Sequence, residues 1–481
     1  MRRLRGLAAA LGCAAALLTG CTGGDGTAET DREPPRARPP AGKPSAHPAP
    51  GDFNGDGYED YAAPLATRAD GGAKGGGAKG GGRVTNTLVI VYGSRTGPRP
   101  QWTVRVPLGA TDHRAPLRAD LDGDGFTDLI GNRGDARDPG AYLMRGGPRG
   151  LSAPRRLHLP PGFRPLAAGD FDGDGSTDLL DGGRGGSGDP NAEPGTTALG
   201  TVAYGPYDRA YGGLPRSSKG LDLGQHGYAS PRQAVTGDFD ADGRTDAVFL
   251  YGYDAEEDES APPDLTPVAY YRGTPGGLER AQAPEHRLRQ ALATADGPRG
   301  ATAADVDGDG VTDVVASGEV GITGGKVTVV HGARAGLGAG RPDQVVQGRG
   351  TTWGLGPLAG DVTGDGRVDL VVGRPGFRLV DPDRVLLLAG GRRGLAAAPT
   401  RTVSGADAGL PGAAKPFDFT AADLLDADGD GHDDVLVFSE RWNGSQGAFI
   451  VLRGGADGID ARRTWHVTPR DLGVRLAPRQ P

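Results

Sequence analysis

The stretch Asp170-Phe-Asp172-Gly-Asp174-Gly-Ser176-Thr-Asp178 places carboxylates at positions 1, 3, 5 and 9 of nine residues. Left unpaired at that spacing, they would repel one another strongly, and a hard dication removes the repulsion. Ca²⁺ takes roughly six to eight oxygens at flexible geometry, which suits three alternating carboxylates, a carbonyl at position 7 and a last carboxylate at position 9. Gly175 at position 6 supplies the backbone freedom needed to wrap an ion. Mg²⁺ fits less well, because it demands a tight octahedron and retains its waters.

Six more copies occur, beginning at Asp52, Asp120, Asp238, Asp305, Asp361 and Asp426. Successive copies start 50 to 68 residues apart, the period of a repeat architecture. The expected ligands, with position 7 giving its backbone carbonyl, follow loop by loop. The first loop offers Asp52, Asn54, Asp56, Tyr58 and Asp60, and the second Asp120, Asp122, Asp124, Phe126 and Asp128. The third offers Asp170, Asp172, Asp174, Ser176 and Asp178, and the fourth Asp238, Asp240, Asp242, Arg244 and Asp246. The fifth offers Asp305, Asp307, Asp309, Val311 and Asp313, and the sixth Asp361, Thr363, Asp365, Arg367 and Asp369. The seventh offers Asp426, Asp428, Asp430, His432 and Asp434, because only a start at Asp426, not at Asp423, gives positions 1, 3, 5 and 9. Up to seven Ca²⁺ are expected, with the Thr363 site weakest.

Each loop releases a short apolar run, such as Val314-Val-Ala316 or Val435-Leu-Val-Phe438. A β-rich run ending in glycine follows, such as Lys326-Val-Thr-Val-Val-His-Gly332, and then a polar, alternating run such as Arg463-Thr-Trp-His-Val467. These are strand lengths and strand residues, and helical spacing is found nowhere at length. Four strands per unit and seven units predict an all-β, seven-bladed β-propeller with a Ca²⁺-binding loop in each blade. The first unit lacks a good opening strand, since His47-Pro-Ala-Pro-Gly51 is rich in proline. Val474 and Leu476 are therefore expected to bring the C-terminal tail back to complete it.

The repeats resemble the FG-GAP family, whose blades form the integrin α-chain head and occur in bacterial surface proteins of the VCBS type. The resemblance spans residues 51 to about 470. It implies a loop between the first and second strands of each blade, and a non-enzymatic binding or adhesion role. Asn54, Ala241 and Thr363 depart from the pattern. An EF-hand is excluded by the flanking strands and by position 12, which is Ala63, Gly131, Asp181, Phe249, Ala316, Val372 or Val437 rather than Glu.

Arg2, Arg3 and Arg5 precede an apolar run from Leu7 to Leu18, the pattern of a signal peptide. Its end, Leu18-Thr-Gly-Cys21, resembles the bacterial lipobox, which implies a lipid on Cys21. Residues 1–21 are thus assigned to a lipoprotein signal, 22–50 to a disordered Pro/Gly-rich tether, and 51–478 to the propeller. The expected location is the extracellular face of the cytoplasmic membrane. Cys13 lies inside the leader and the exported chain has no other cysteine beyond Cys21, so no disulfide is available to it.

The formal net charge of −8 belongs largely to the loops, and no basic field points to nucleic acid. No hydrolase or P-loop motif occurs. The expected partner is a protein or glycan, with the membrane contacted through the lipid and the chain a monomer. A lectin on the same fold, with Tyr204, Tyr207, Tyr211, Tyr270 and Tyr271 lining a groove, is an alternative, as is a hydrolase working in the channel. Arg133-Gly134-Asp135 is read as a polar loop, and the insertions at 70–83, 181–200 and 253–260 as surface excursions.

Overall fold

A computed structural model describes residues 39–45, 48–68, 84–109, 115–133, 140–182, 197–208, 213–226, 230–252, 267–293, 298–320, 324–348, 355–374, 383–410, 418–439 and 442–477. All belong to one unit, Ala37–Pro481. The leader, Cys21, Tyr211, Gly134, Asp135 and most of the three insertions lie outside the described residues. Among the described residues no helix is long and apolar enough to cross a membrane.

The described strands form seven antiparallel sheets in chain order. The second blade is typical, with Leu117–Ala119, Asp128–Arg133, Gly140–Met144 and Arg155–Leu157. Its Asp loop joins the first strand to the second, and the other complete blades repeat this plan. β-branched runs supply the pairing. In the fifth blade, Asp313–Val320 lies against Gly324–Val330 with Val314 opposite Val330 and Val315 opposite Val329.

Side chains of a strand alternate between its two faces, so each sheet feeds two cores. In the fourth blade Ala247, Phe249 and Tyr251 pack toward the third blade, while Val248 and Leu250 pack toward the fifth. Every one of the seven apolar clusters lies between two consecutive blades. One of them joins Leu436, Phe449 and Val451 of the seventh blade to Ala63, Leu65 and Val89 of the first. That cluster makes the arrangement a closed ring.

The first blade has three strands, Tyr61–Arg68, Val84–Tyr92 and Arg99–Gly109. Its inner position is filled from both ends of the unit. Asp60 N–H donates to Gly51 O at 2.8 Å, while Arg68 N–H donates to Arg475 O at 2.9 Å and Ala477 N–H to Ala66 O at 2.8 Å. Leu476 bridges Thr67, and Leu472, Val474 and Leu476 pack into the cluster between the seventh and first blades. The expected return of the tail is therefore present.

Two features depart from the sequence reading. A helix, Gln282–Ala291, follows the last strand of the fourth blade. Only Leu288 and Glu285 of it are buried, with Glu285 held by Arg280 at 2.7 Å. So narrow an apolar stripe gives no periodicity to read. The second concerns the tether assigned to 22–50, of which 39–45 and 48–50 are described. Lys43 N–H donates to Gly55 O and Ser45 N–H to Gly125 O, both at 2.8 Å. This segment thus lies across the Asp loops of the first two blades.

Candidate metal centre

The seven loops share one internal wiring. The position 1 carboxylate accepts the backbone N–H groups of positions 5 and 6, as from Asp174 (3.1 Å) and Gly175 (2.9 Å) to Asp170. The same pair of bonds recurs at Asp52, Asp120, Asp238, Asp305, Asp361 and Asp426. The position 5 carboxylate accepts the N–H of position 7, from Tyr58, Phe126, Ser176, Arg244, Val311, Arg367 and His432. Asp426 takes the position 1 role in the seventh loop. Asp423 sits in the preceding strand, Thr420–Leu425, and pairs with Arg118. Position 6 is a glycine with φ between 79° and 86° in every loop, a left-handed turn that side chains resist. Position 4 has the same sign of φ, and there Ala241 adopts 53° where the other six loops have glycine.

Position 9 is a clamp. One of its oxygens accepts the N–H of the glycine that ends the third strand: Gly93, Gly146, Gly205, Gly273, Gly332, Gly390 and Gly454, at 2.7 to 3.0 Å. The other oxygen accepts the N–H of position 2 in the first five loops, at 2.9 to 3.1 Å. In the sixth, Asp369 accepts from Thr363 instead, at 2.8 Å. Position 2 is itself buried in the core: Phe53, Leu121, Phe171, Phe239, Val306, Val362 and Ala427. Each loop is thereby fastened to both its blade and its core.

At position 9, burial raises Asp128 and Asp434 to about 8, Asp178 to about 7 and Asp246 to about 6. Asp60 is also raised by burial. Burial likewise raises Asp240, Asp307 and Asp428 at position 3.

The donor set fits a hard dication. One oxygen from each of positions 1, 3 and 9 comes within 4.8 Å of the others in the second, third and fourth loops, as do positions 1, 3 and 5 in the fifth. At position 3, Oδ1 of Asn54, Asp240, Asp307 and Asp428 is buried without a hydrogen-bond partner. A buried oxygen without a donor costs free energy, and four at the same loop position imply a common acceptor role. Ca²⁺ at these loops would draw on positions 1, 3, 5 and 9 and neutralise their mutual repulsion.

Arginines were not anticipated here. Arg145 reaches Asp122 at 2.8 Å, Arg216 reaches Asp172 at 2.6 Å, and Arg272 reaches Asp240 at 2.5 Å. Arg341 pairs with Asp307 and Arg453 with Asp428. Thus every loop with a carboxylate at position 3 has a guanidinium on it. Position 7 side chains add to this, with Arg244 on Asp242 and Arg367 on Asp365, both at 2.7 Å, and His432 on Asp430 at 3.2 Å. The Arg-Gly pairs at 145–146, 272–273 and 453–454 are the sequence signal that could have revealed three of them.

Position 8 was also missed. In the third, fourth, fifth and seventh loops it ties the loop to the preceding blade. Thr177 Oγ1 donates to Asp120 O at 2.8 Å, and Thr245 N–H to Asp170 O at 2.8 Å. Thr312 N–H reaches Asp238 O at 3.2 Å, and Asp433 N–H reaches Asp361 O at 2.9 Å. The four described tyrosines of the lectin alternative pack between blades, and Tyr271 also lines a cavity with Asp222 and Arg280. Tyr204, Tyr207, Tyr270 and Tyr271 are all buried, and Tyr270 Oη donates to Asp246 at 2.8 Å.

Residues 120–180, from the second loop through the third, match the family model of the FG-GAP-like repeat. No curated protein matches the chain. The chain is a seven-bladed β-propeller with an FG-GAP-like repeat at residues 120–180 and the same Asp loop in every blade.

Proposed function

We propose that this ring is a Ca²⁺-braced binding module, held on the outer face of the cytoplasmic membrane by a lipid on Cys21, and that it binds a protein partner without catalysing a reaction. The observation that carries the calcium reading is the set of buried, unpartnered position 3 oxygens facing clustered carboxylates in repeated loops. The ions act as braces. Each would tie a loop already joined to its own core at position 2 and to the third strand at position 9. A rigid ring then offers the loops between its strands as a fixed surface for recognition.

Melting the purified chain in Ca²⁺ and in EDTA tests the brace. A clear rise in melting temperature with Ca²⁺ is expected, and equal melts would overturn it. Pull-down from cell-surface extracts, with and without Ca²⁺, tests the binding role. A partner retained only with Ca²⁺ supports it, whereas hydrolytic turnover of a surface polymer by the pure protein would replace it.

A further inference from the structure

The fifth blade differs from the others at one register position. The residue just before the clamped glycine is Tyr92, Arg145, Tyr204, Arg272, His331, Ala389 and Arg453 in successive blades. Where it is arginine, its guanidinium rests on the position 3 carboxylate. In the fifth blade it is an imidazole, 2% exposed. His331 Nδ1 lies 3.3 Å from Asp307 Oδ2 and 3.4 Å from Asp313 Oδ1. Both are ion-pair contacts with the imidazole facing two carboxylates, and by strict geometry neither Nδ1 nor Asp307 Oδ1 has a hydrogen-bond partner. One donor atom from each of Asp307, Asp313 and His331 falls within 4.8 Å of the other two.

We infer that the fifth blade holds a first-row transition dication of the Zn²⁺ class on His331 Nδ1, Asp307 and Asp313. A hard ion such as Ca²⁺ takes oxygen and gains little from an imidazole nitrogen, whereas Zn²⁺ and Co²⁺ accept nitrogen and carboxylate oxygen together. The surrounding bonds suit such a site. Asp313 is oriented by the N–H groups of Val306 (3.1 Å) and Gly332 (2.8 Å), the outer-shell support that metal-binding carboxylates need. Asp307 holds Arg341 on Oδ2, while its Oδ1 is buried with no hydrogen-bond partner. Asp305 and Asp309 cluster with Asp307 and stand ready to complete the coordination. His432, the imidazole on the seventh loop, is half-buried and meets a single carboxylate, so it makes no comparable set.

The inference uses a loop that the calcium reading also uses, but it does not require calcium in the other six. The test is a Co²⁺ titration of the untagged full chain in about 1 mM Ca²⁺, following visible ligand-field absorption. One equivalent of Co²⁺ should develop bands that one equivalent of Zn²⁺ abolishes. His331→Ala and His331→Tyr should each weaken that equivalent by roughly tenfold or more. Ala389 and Tyr92 show that the fold accepts both residues at this register position, and both variants should keep the Ca²⁺-dependent gain in melting temperature. Absence of the bands, or bands unchanged in the two variants, overturns the inference. A Co²⁺ site without any Ca²⁺ effect on melting would overturn the calcium reading and leave this one standing.

Discussion

Glu59 and Asp426, 367 residues apart in the chain, are joined twice: Glu59 N–H donates to Asp426 O at 2.9 Å, and Asp426 N–H donates to Glu59 Oε2 at 3.0 Å. The Glu59 carboxylate also accepts Gly51 N–H at 3.3 Å. Position 8 of the first loop thereby closes the ring onto the seventh blade. Asp433, at position 8 of the seventh loop, makes the equivalent bond to the sixth blade, where its carboxylate accepts Asp361 N–H at 2.7 Å.

The closing carboxylate makes stability depend on pH. Burial raises Glu59 from its ordinary value to about 7. A carboxyl raised on folding binds more protons in the native state, so its stabilisation is full below about 4.5 and is lost as pH climbs through 7. The difference is about 3 kcal/mol. Glu59→Gln keeps an acceptor and removes the charge. Its chemical-denaturation midpoint should fall less than wild type between pH 5 and pH 8. Parallel profiles would sink this assignment.

The position 9 clamp is separable from any metal. Asp178 accepts Phe171 N–H at 2.9 Å and Gly205 N–H at 2.8 Å. Asp178→Ala leaves both buried donors unmet, at a cost of roughly 2–5 kcal/mol, and Asp178→Asn should cost about half of that. The loss should persist in EDTA. Urea denaturation of the three proteins checks it, and a loss seen only with Ca²⁺ present would mean that the residue acts through the ion alone.

Ala241 carries a left-handed backbone where its counterparts are glycine. Relief of that conformation outweighs the entropy that glycine adds to the unfolded chain. Ala241→Gly should therefore stabilise the protein by about 0.5–1 kcal/mol. A neutral or lower midpoint would count against strain at this position.

The tail contributes both hydrogen bonds and apolar burial at the seam. Removing residues 471–481 strips Leu472, Val474 and Leu476 from the cluster between the seventh and first blades and unpairs Arg68 N–H. Burying a single leucine is worth about 2–5 kcal/mol by the usual large-to-small comparison, so a large drop in melting temperature is expected. Scanning calorimetry decides the matter, and an unchanged melt would show that the first blade stands without the tail.

The loops and blades were legible because their signals are local. Asp and Gly recur at fixed offsets, and the strands between them are short β-branched runs, so even the choice of Asp426 over Asp423 could be made from nine residues. What escaped notice depends on partners distant in sequence. Arg216 meets Asp172 only because two strands intervene, and Glu59 meets Asp426 only because the ring closes. The helix Gln282–Ala291 escaped for the opposite reason, since its single buried leucine writes no pattern.

The seam in the first blade also governs the order of assembly. A chain made from its N-terminus can build sheets and mate neighbours as it emerges, yet it stays an open arc, with one apolar flank of the first sheet uncovered, until the seventh sheet exists to pack against it and the tail adds its bonds to the seam. Closure is a latch, and a product cut short before the seventh sheet would keep most of its loops and still expose two greasy edges.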